Sequence, residues 1–230
     1  MVCLTIDGDL YNNVEVSKKA IHFTIKFLEF FGINGKVTWF INEEFGWTKH
    51  YINELRSIVA KGNEIGLHVH KINEDVRKGK VSSVEELKKV FKKYKTTLEK
   101  VTGNKIVSFR SGAHAHTPQM FTALSHLDFY YDSSIIPGKI IYVDKELYPH
   151  SKNDIYVDNR RIKKRKVFYI SNSLCVKEVP NSKWKYFHPI DLVRKDGSYN
   201  VRNIFKWGVL ISLYKFLGIK KINEIYLIRW

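Results

Sequence analysis

Two aspartates separated by one glycine, Asp7 and Asp9, close the stretch LTIDGD near the start of the chain. In an extended chain, residues two apart project to the same side. Both carboxylates can therefore converge on one point, and Gly8 lets backbone or ligand approach closely. GLHVHK repeats the spacing with His68 and His70. Arg110, His114 and His116 follow in FRSGAHAH, Asp132 in YYDSS, and His188 precedes a proline in FHP. Carboxylates and imidazoles in this mixture suit a divalent ion of borderline softness: zinc first, with cobalt, manganese or iron as the other candidates. A carboxylate left off the ion is a base and a separate histidine an acid. Together they describe metal-assisted hydrolysis. Singly, each group has a plainer reading, such as a turn aspartate, an exposed histidine or an ion-paired arginine. Their succession carries the weight.

Each group follows a stretch that reads as a strand. VCLTI (2–6), KVTWFI (36–41), NEIGLHVH (63–70), KIVSFR (105–110), DFYYD (128–132), VFYIS (167–171) and LCVKEV (174–179) are rich in β-branched and aromatic residues. Helices fall between the early ones. Val16, Ala20, Phe23, Phe27 and Phe31 recur at helical spacing before Gly32, and residues 50–62 give a second helix ending in glycine. Ser83-Val84-Glu85-Glu86 is a capping box opening a third, with Val84, Leu87, Phe91, Tyr94, Leu98 and Val101 as its inner stripe. Thr117-Pro118 starts another. A last helix over about 201–217 precedes a strand-like EIYLI (224–228). This alternation implies α/β architecture with a parallel sheet, open or closed into a barrel. In such folds the chemistry sits at the carboxyl ends of the strands.

A chain of 230 residues that is 44% hydrophobic sustains one sizeable core, and no repeat or linker divides it, so a single domain over 1–230 is expected. Cys3 and Cys175 lie far apart in apolar stretches and read as buried thiols. The first motif leaves no room for a signal peptide. The longest nearly apolar run, WGVLISLY (207–214), falls far short of the ~20 residues that span a bilayer. The expected location is the cytoplasm, with peripheral attachment at the inner membrane surface as a variant. The net charge of +16 points to an anionic partner. Nucleic acid is not expected, because lysines such as those of KKVFKKYK (88–95) read as a solvated helix face; the densest run is NRRIKKRK (159–166). An anionic membrane surface or an anionic sugar carrier fits better. NIFKWGVLISLYKFLG (203–218) is basic and aromatic enough to dock on such a surface, although packing against the core is the expectation.

In order along the chain, LTIDGD (4–9), GNEIGLHVH (62–70), SFRSG (108–112), YDSS (131–134) and YFHPIDL (186–192) resemble the motifs of the polysaccharide deacetylases, the NodB-homology family (carbohydrate esterase family 4). The resemblance implies a distorted (β/α) barrel, typically of seven strands, that hydrolyses the acetyl group from an N-acetylated sugar. It makes Asp7 the base that activates water on the metal, Asp9 and His68 metal ligands, and Arg110 the group that orients Asp7. Asp132 would support the arginine or the late histidine, and His188 would protonate the departing amine. A backbone N–H just after the arginine motif, at Ala113 or His114, would stabilise the oxyanion; losing one such donor typically costs about 10²–10³ in turnover. With no export signal, the substrate expected is a lipid- or nucleotide-linked precursor inside the cell.

Departures from the pattern bear on the ligands. Gly8 separates aspartates that are usually adjacent. The usual second histidine, four residues after the first, falls at Ile72. His70 is the nearest substitute, giving Asp9, His68 and His70 as the ligand set, and Asn73 turned inward is the other. SGAHAH replaces the usual proline–tyrosine pair, leaving His114 and His116 to line the substrate groove or His114 to serve as a substitute ligand.

Rivals fare less well. A haloacid-dehalogenase-type phosphatase needs a later acidic pair, and no Asp-Asp dipeptide occurs. A nucleotide-sugar transferase needs a nucleotide-binding region before its D-x-D, which six residues cannot supply. Two readings stay open beside hydrolysis at a metal. One is a degenerate member that binds an anionic glycan or lipid carrier without cleaving it; the other is a metal-independent amidase on the same fold.

Overall fold

The computed structural model of the chain describes residues 2–77, 81–115, 117–134, 168–170, 176–178 and 183–225. Its sheet grows outward from β1 (Val2–Asp7), in which Cys3, Leu4 and Ile6 are wholly buried. β2 (Thr38–Asn42), β3 (Glu64–Val69), β4 (Ser108–Ser111) and β5 (Tyr131–Asp132) follow on one side, each parallel to the last. β6 (Phe168–Ile170) and β7 (Val176–Glu178) extend that edge antiparallel. On the other side β8 (Lys183–Phe187) pairs parallel with β1, setting Phe187 opposite Ile6, and the short β9 (Ile219–Lys220) joins the start of β1. The strand order is β7-β6-β5-β4-β3-β2-β1-β8, curled into a half-barrel flanked by helices. The fold class expected from the sequence is the one observed.

The helices are α1 (Val14–Phe30), α2 (Trp47–His50), α3 (Ile52–Ala60), α4 (Lys71–Arg77), α5 (Val84–Thr102), α6 (Pro118–Ser125), α7 (Val201–Leu217) and α8 (Ile222–Ile225). Local chemistry sets their ends. Asn13 accepts from the Glu15 and Val16 amides to start α1. Ser83 and Glu86 form the reciprocal capping box of α5, an arrangement worth about 1 kcal/mol, and Gly103 ends that helix at φ 70°. Thr117 accepts from the Met120 amide ahead of Pro118.

Several elements differ from expectation for physical reasons. The helix over 50–62 is split at Tyr51 (φ −128°), whose buried ring packs 5.6 Å from that of Trp47. Only five residues join β6 to β7, too few for a parallel crossover, so they pair antiparallel. β8 escaped the strand reading because its KWKYF run leads straight into the late histidine motif. Glu224 and Ile225 finish α8 where a strand was expected, and residues 226–228 lie outside the described residues. So do Cys175 and the basic run 159–166. Cys3 is buried, and burial pushes its thiol far up. α7 packs against the core on one face only, through Trp207 and Ile211, while Phe205 and Phe216 face outward. No described helix is long and apolar enough to cross a membrane.

Candidate functional site

Because β8, β1, β2, β3, β4 and β5 are parallel, their carboxyl ends share one edge, and Asp7, Asp9, His68, His70, Arg110, Asp132 and His188 lie at or just past those ends. β1 ends at Asp7, which is buried. Gly8 is then pinned at both polar atoms: its amide donates to Phe40 O (2.7 Å) and its carbonyl accepts from Trp47 Nε1 (2.8 Å). A Cβ at Gly8 would stand 2.9 Å from Phe40 O, so only glycine fits between the two aspartates. Beyond it, Asp9 Oδ1 accepts from Asn42 Nδ2 (3.1 Å) at the end of β2.

His68 lies in β3 with Nδ1 2.9 Å from Arg110 O. A carbonyl only accepts, so Nδ1 carries the hydrogen and Nε2 presents a lone pair. His70 lies just past the strand. Its amide donates to Glu44 Oε2 (3.0 Å), and its carbonyl accepts from Glu74 N (3.0 Å) at the head of α4. Gly112 makes room for its ring: a Cβ there would fall on the imidazole and 2.9 Å from His70 Cα. The two Nε2 atoms are 3.1 Å apart, and Asp9 Oδ1 is 3.6 Å from that of His68 and 3.3 Å from that of His70. Donors about 2.0–2.2 Å from one tetrahedral ion stand roughly 3.3–3.6 Å from each other. This triangle therefore fits a divalent ion, and it is the only such cluster among the described residues. Burial pushes the Asp9 carboxyl up, but the bonds and charges of His68 and His70 outweigh it and hold the group well below the carboxylate range. Ile72, where the family resemblance expects a histidine, is 2% exposed in the core.

Arg110 is wholly buried beneath this site. Nη1 donates to Asp7 Oδ1, Nε donates to Ser133 Oγ (2.8 Å), and the guanidinium lies 4.2 Å from the Phe40 ring centroid and 5.2 Å from that of Tyr186. Held from several sides, it fixes how Asp7 points. At the end of β5 it is Ser133, not Asp132, that accepts a hydrogen bond from the arginine. Asp132 Oδ1 instead accepts from Ser134 N (3.0 Å) and Ser134 Oγ, while Ser134 Oγ accepts from Ser111 N (2.8 Å). Asp132 thus ties the end of β5 to β4. Its Oδ2 is buried with no hydrogen-bond partner among the described residues.

Burial raises the Asp132 carboxyl to about 6, against the opposing Ser134 bonds and Arg110 charge. An acid raised in the native state takes up a proton on folding between its unfolded value, about 4, and about 6. Stability therefore falls as pH rises through that window, by an amount on the order of 3 kcal/mol. Asp132→Asn should abolish that slope. Denaturant midpoints measured from pH 4 to pH 7 should show its stability relative to the native chain growing with pH; a constant difference would exclude Asp132 as the source.

His188 follows β8. Its Nδ1 is 3.4 Å from Asp191 Oδ2, which also accepts from the His188 amide (2.8 Å), and its Nε2 is 3.5 Å from Asp9 Oδ2. Burial pushes the imidazole down, but the Asp191 bond and the charges of Asp7, Asp191 and Asp9 prevail and raise it above the ordinary histidine range. Ala113 sits in a 3₁₀ turn (Gly112–His114) with φ 51°, a left-handed conformation that costs a non-glycine residue about 1–2 kcal/mol. The His114 side chain and the whole of His116 lie outside the described residues.

Sequence reasoning passed over Asn42, Trp47, Ser133 and Asp191. Asp191 had a signal, since it stands three residues after His188 across Pro189, a cap spacing. Asn42 closes the one early strand whose end was not searched. Trp47 and Ser133 had none, because their partners lie 39 and 23 residues away.

The sequence profile of a family described as polysaccharide deacetylase matches residues 3–131. No curated protein matches the chain by sequence. Among solved structures, one similar fold is a mutant, with restored enzymatic activity, of a CE4 family pseudoenzyme from Bacillus anthracis. It is 18% identical with a TM-score of 0.58, over 98% of this chain and 66% of that one. Peptidoglycan deacetylase PdaC from Bacillus subtilis is 14% identical with a TM-score of 0.53, over 98% and 89%. A family 4 acetyl xylan esterase from Clostridium thermocellum, in complex with a cobalt ion, is 14% identical with a TM-score of 0.52, over 98% and 90%. At such identities the likeness is one of fold. The chain spans just under two thirds of the first of these structures.

Proposed function

Because the chain belongs to the polysaccharide deacetylase family, we propose that it is a divalent-metal-dependent hydrolase that removes the N-acetyl group from an amino sugar. The observation that carries this reading is the triangle of Asp9 Oδ1, His68 Nε2 and His70 Nε2, with edges of 3.1, 3.3 and 3.6 Å beside the buried Asp7–Arg110 pair. Asp9, His68 and His70 would hold the ion, zinc being the first candidate for such a donor set. When bound, a divalent ion polarises the amide carbonyl and makes water acidic enough to ionise near neutral pH.

The remaining steps belong to the chain's own groups. Arg110 occupies Asp7 Oδ1 and leaves Oδ2 to take the proton from the attacking water. The amide of Ala113 or His114, in the turn beside His70, would receive the negative charge on the former carbonyl oxygen. His188, whose affinity for a proton is raised by Asp191 and the carboxylates of Asp7 and Asp9, would hand a proton to the departing sugar amine. The net charge of +16 supports a sugar on a phosphate-bearing lipid or nucleotide carrier.

Acetate release should be measured on N-acetylhexosamines bearing nucleotide or lipid diphosphates, with chelated and reconstituted protein. Release that chelation stops and zinc or cobalt restores is expected; release that survives chelation points to an amidase needing no metal. Ile72, buried where a histidine is usual, favours a second reading in which the site binds an acetylated glycan without cleaving it. An ion-loaded protein that binds these compounds and releases no acetate would establish that reading.

A further inference from the structure

α7 is apolar on two opposite faces. The inner face, Trp207 and Ile211, is buried on the sheet. The outer face repeats an apolar side chain every fourth residue, Val201, Phe205, Val209 and Leu213, and all four are exposed, Phe205 at 73%. Phe216 continues this face at 94%, and Phe30 at the end of α1 is open at 83%. Between the two helices runs an apolar groove of about 570 Å³ lined by both phenylalanines. A helix that is hydrophobic all round ordinarily lies inside a protein or a membrane, and a contiguous exposed apolar surface of this kind marks a place where something docks.

Charge identifies the occupant. α7 contains no acidic residue, and its exposed cations border the apolar stripe. At 3.6 residues per turn, Arg202 and Lys206 fall along one side of it and Lys215 along the other. A second copy of the chain would bring these cations against their own kind, with no α7 carboxylate to pair them. An anionic bilayer answers both features, taking the phenylalanines below its headgroups and the cations among its phosphates. The 17 residues of α7 make a rod about 25 Å long, and no described helix is long and apolar enough to cross a membrane. The helix therefore lies along the surface.

We propose that the outer face of α7, with Phe30, seats the protein on an anionic lipid surface. The placement bears on the site, because Asn203 Nδ2 in the first turn of α7 donates to Asp191 O (3.0 Å) in the loop that carries His188. The helix that carries the docking face thus also touches the rim of the site, where the Trp207 ring lies 4.8 Å from that of Phe187. Docking itself requires no hydrolysis and stands apart from the proposed reaction.

Co-sedimentation of the full chain with vesicles tests this. Binding is expected to phosphatidylcholine vesicles containing phosphatidylglycerol, with at least about tenfold weaker binding to phosphatidylcholine alone. Phe205→Ser with Phe216→Ser should reduce binding about tenfold or more, and Lys206→Glu should weaken it on the anionic vesicles alone. These side chains are exposed, so the variants should unfold at the native temperature, which thermal melts would check. Absence of binding to anionic vesicles would overturn the proposal. So would binding that the double variant leaves unchanged, or a dimer in sedimentation velocity that the double variant dissociates.

Discussion

Asp7→Asn should retain its ion and release acetate about 10²–10⁴-fold more slowly, the span typical of losing a general base. Asparagine keeps the shape of the side chain and its Oδ1 acceptor for Arg110 Nη1, but it cannot take a proton from water. The substitution also removes the carboxylate bonded to a wholly buried guanidinium. Breaking one side of such a pair costs about 3–5 kcal/mol, so rates must be taken per folded molecule, with unfolding followed in parallel. Metal stoichiometry separates the roles: Asp7 is absent from the donor triangle, and the variant should bind as much metal as the native chain. An undiminished rate would remove Asp7 as the base. A lost ion would make it a ligand.

His70→Ala should lower metal affinity by more than about 100-fold, beyond the 10–100-fold typical of groups that merely support a ligand. The double variant His70→Ala with Ile72→His should not recover it. Ile72, in the first turn of α4, is buried in the apolar core, and a histidine there would set a polar imidazole among apolar side chains. Gly112→Ala reaches the same end without touching a donor, since its methyl group would displace the His70 ring. Zinc titration by calorimetry checks all three. Full recovery on placing histidine at 72 would show that the loop can revert to the four-residue spacing and that His70 is incidental.

Much of the site was legible because it depends on strand ends, which sequence marks well. LTIDGD reads as a strand closing in two acids because a buried parallel strand is continuously apolar and ends abruptly. The i, i+2 spacing of His68 and His70 forecast two imidazoles on one side, and their Nε2 atoms lie 3.1 Å apart. The Ser83–Glu86 box and Thr117-Pro118 marked helix starts because capping is satisfied within four residues. What stayed hidden was contact across distance. Ser133 and Asp132 are adjacent, and nothing in YDSS says which of them turns toward Arg110. Tyr186 and Phe40, whose rings flank that arginine, are 146 positions apart in numbering and meet only because β8 and β2 both border β1. Docking by the outward face of α7 stood only as the less expected reading for another reason: a helix apolar on both sides looks like a core helix when only its residues are counted.

The position of β1 between an early and a late strand has a temporal consequence. Asp9, His68 and His70 all come from the first 70 residues, whereas His188 arrives just after β8, which closes against β1 across about 180 residues of chain. Such long-range closures are the slow part of folding. A growing or refolding chain would thus be able to capture its ion well before it owns a proton donor. Cation uptake would precede the onset of turnover, and the lag between them would clock the docking of β8.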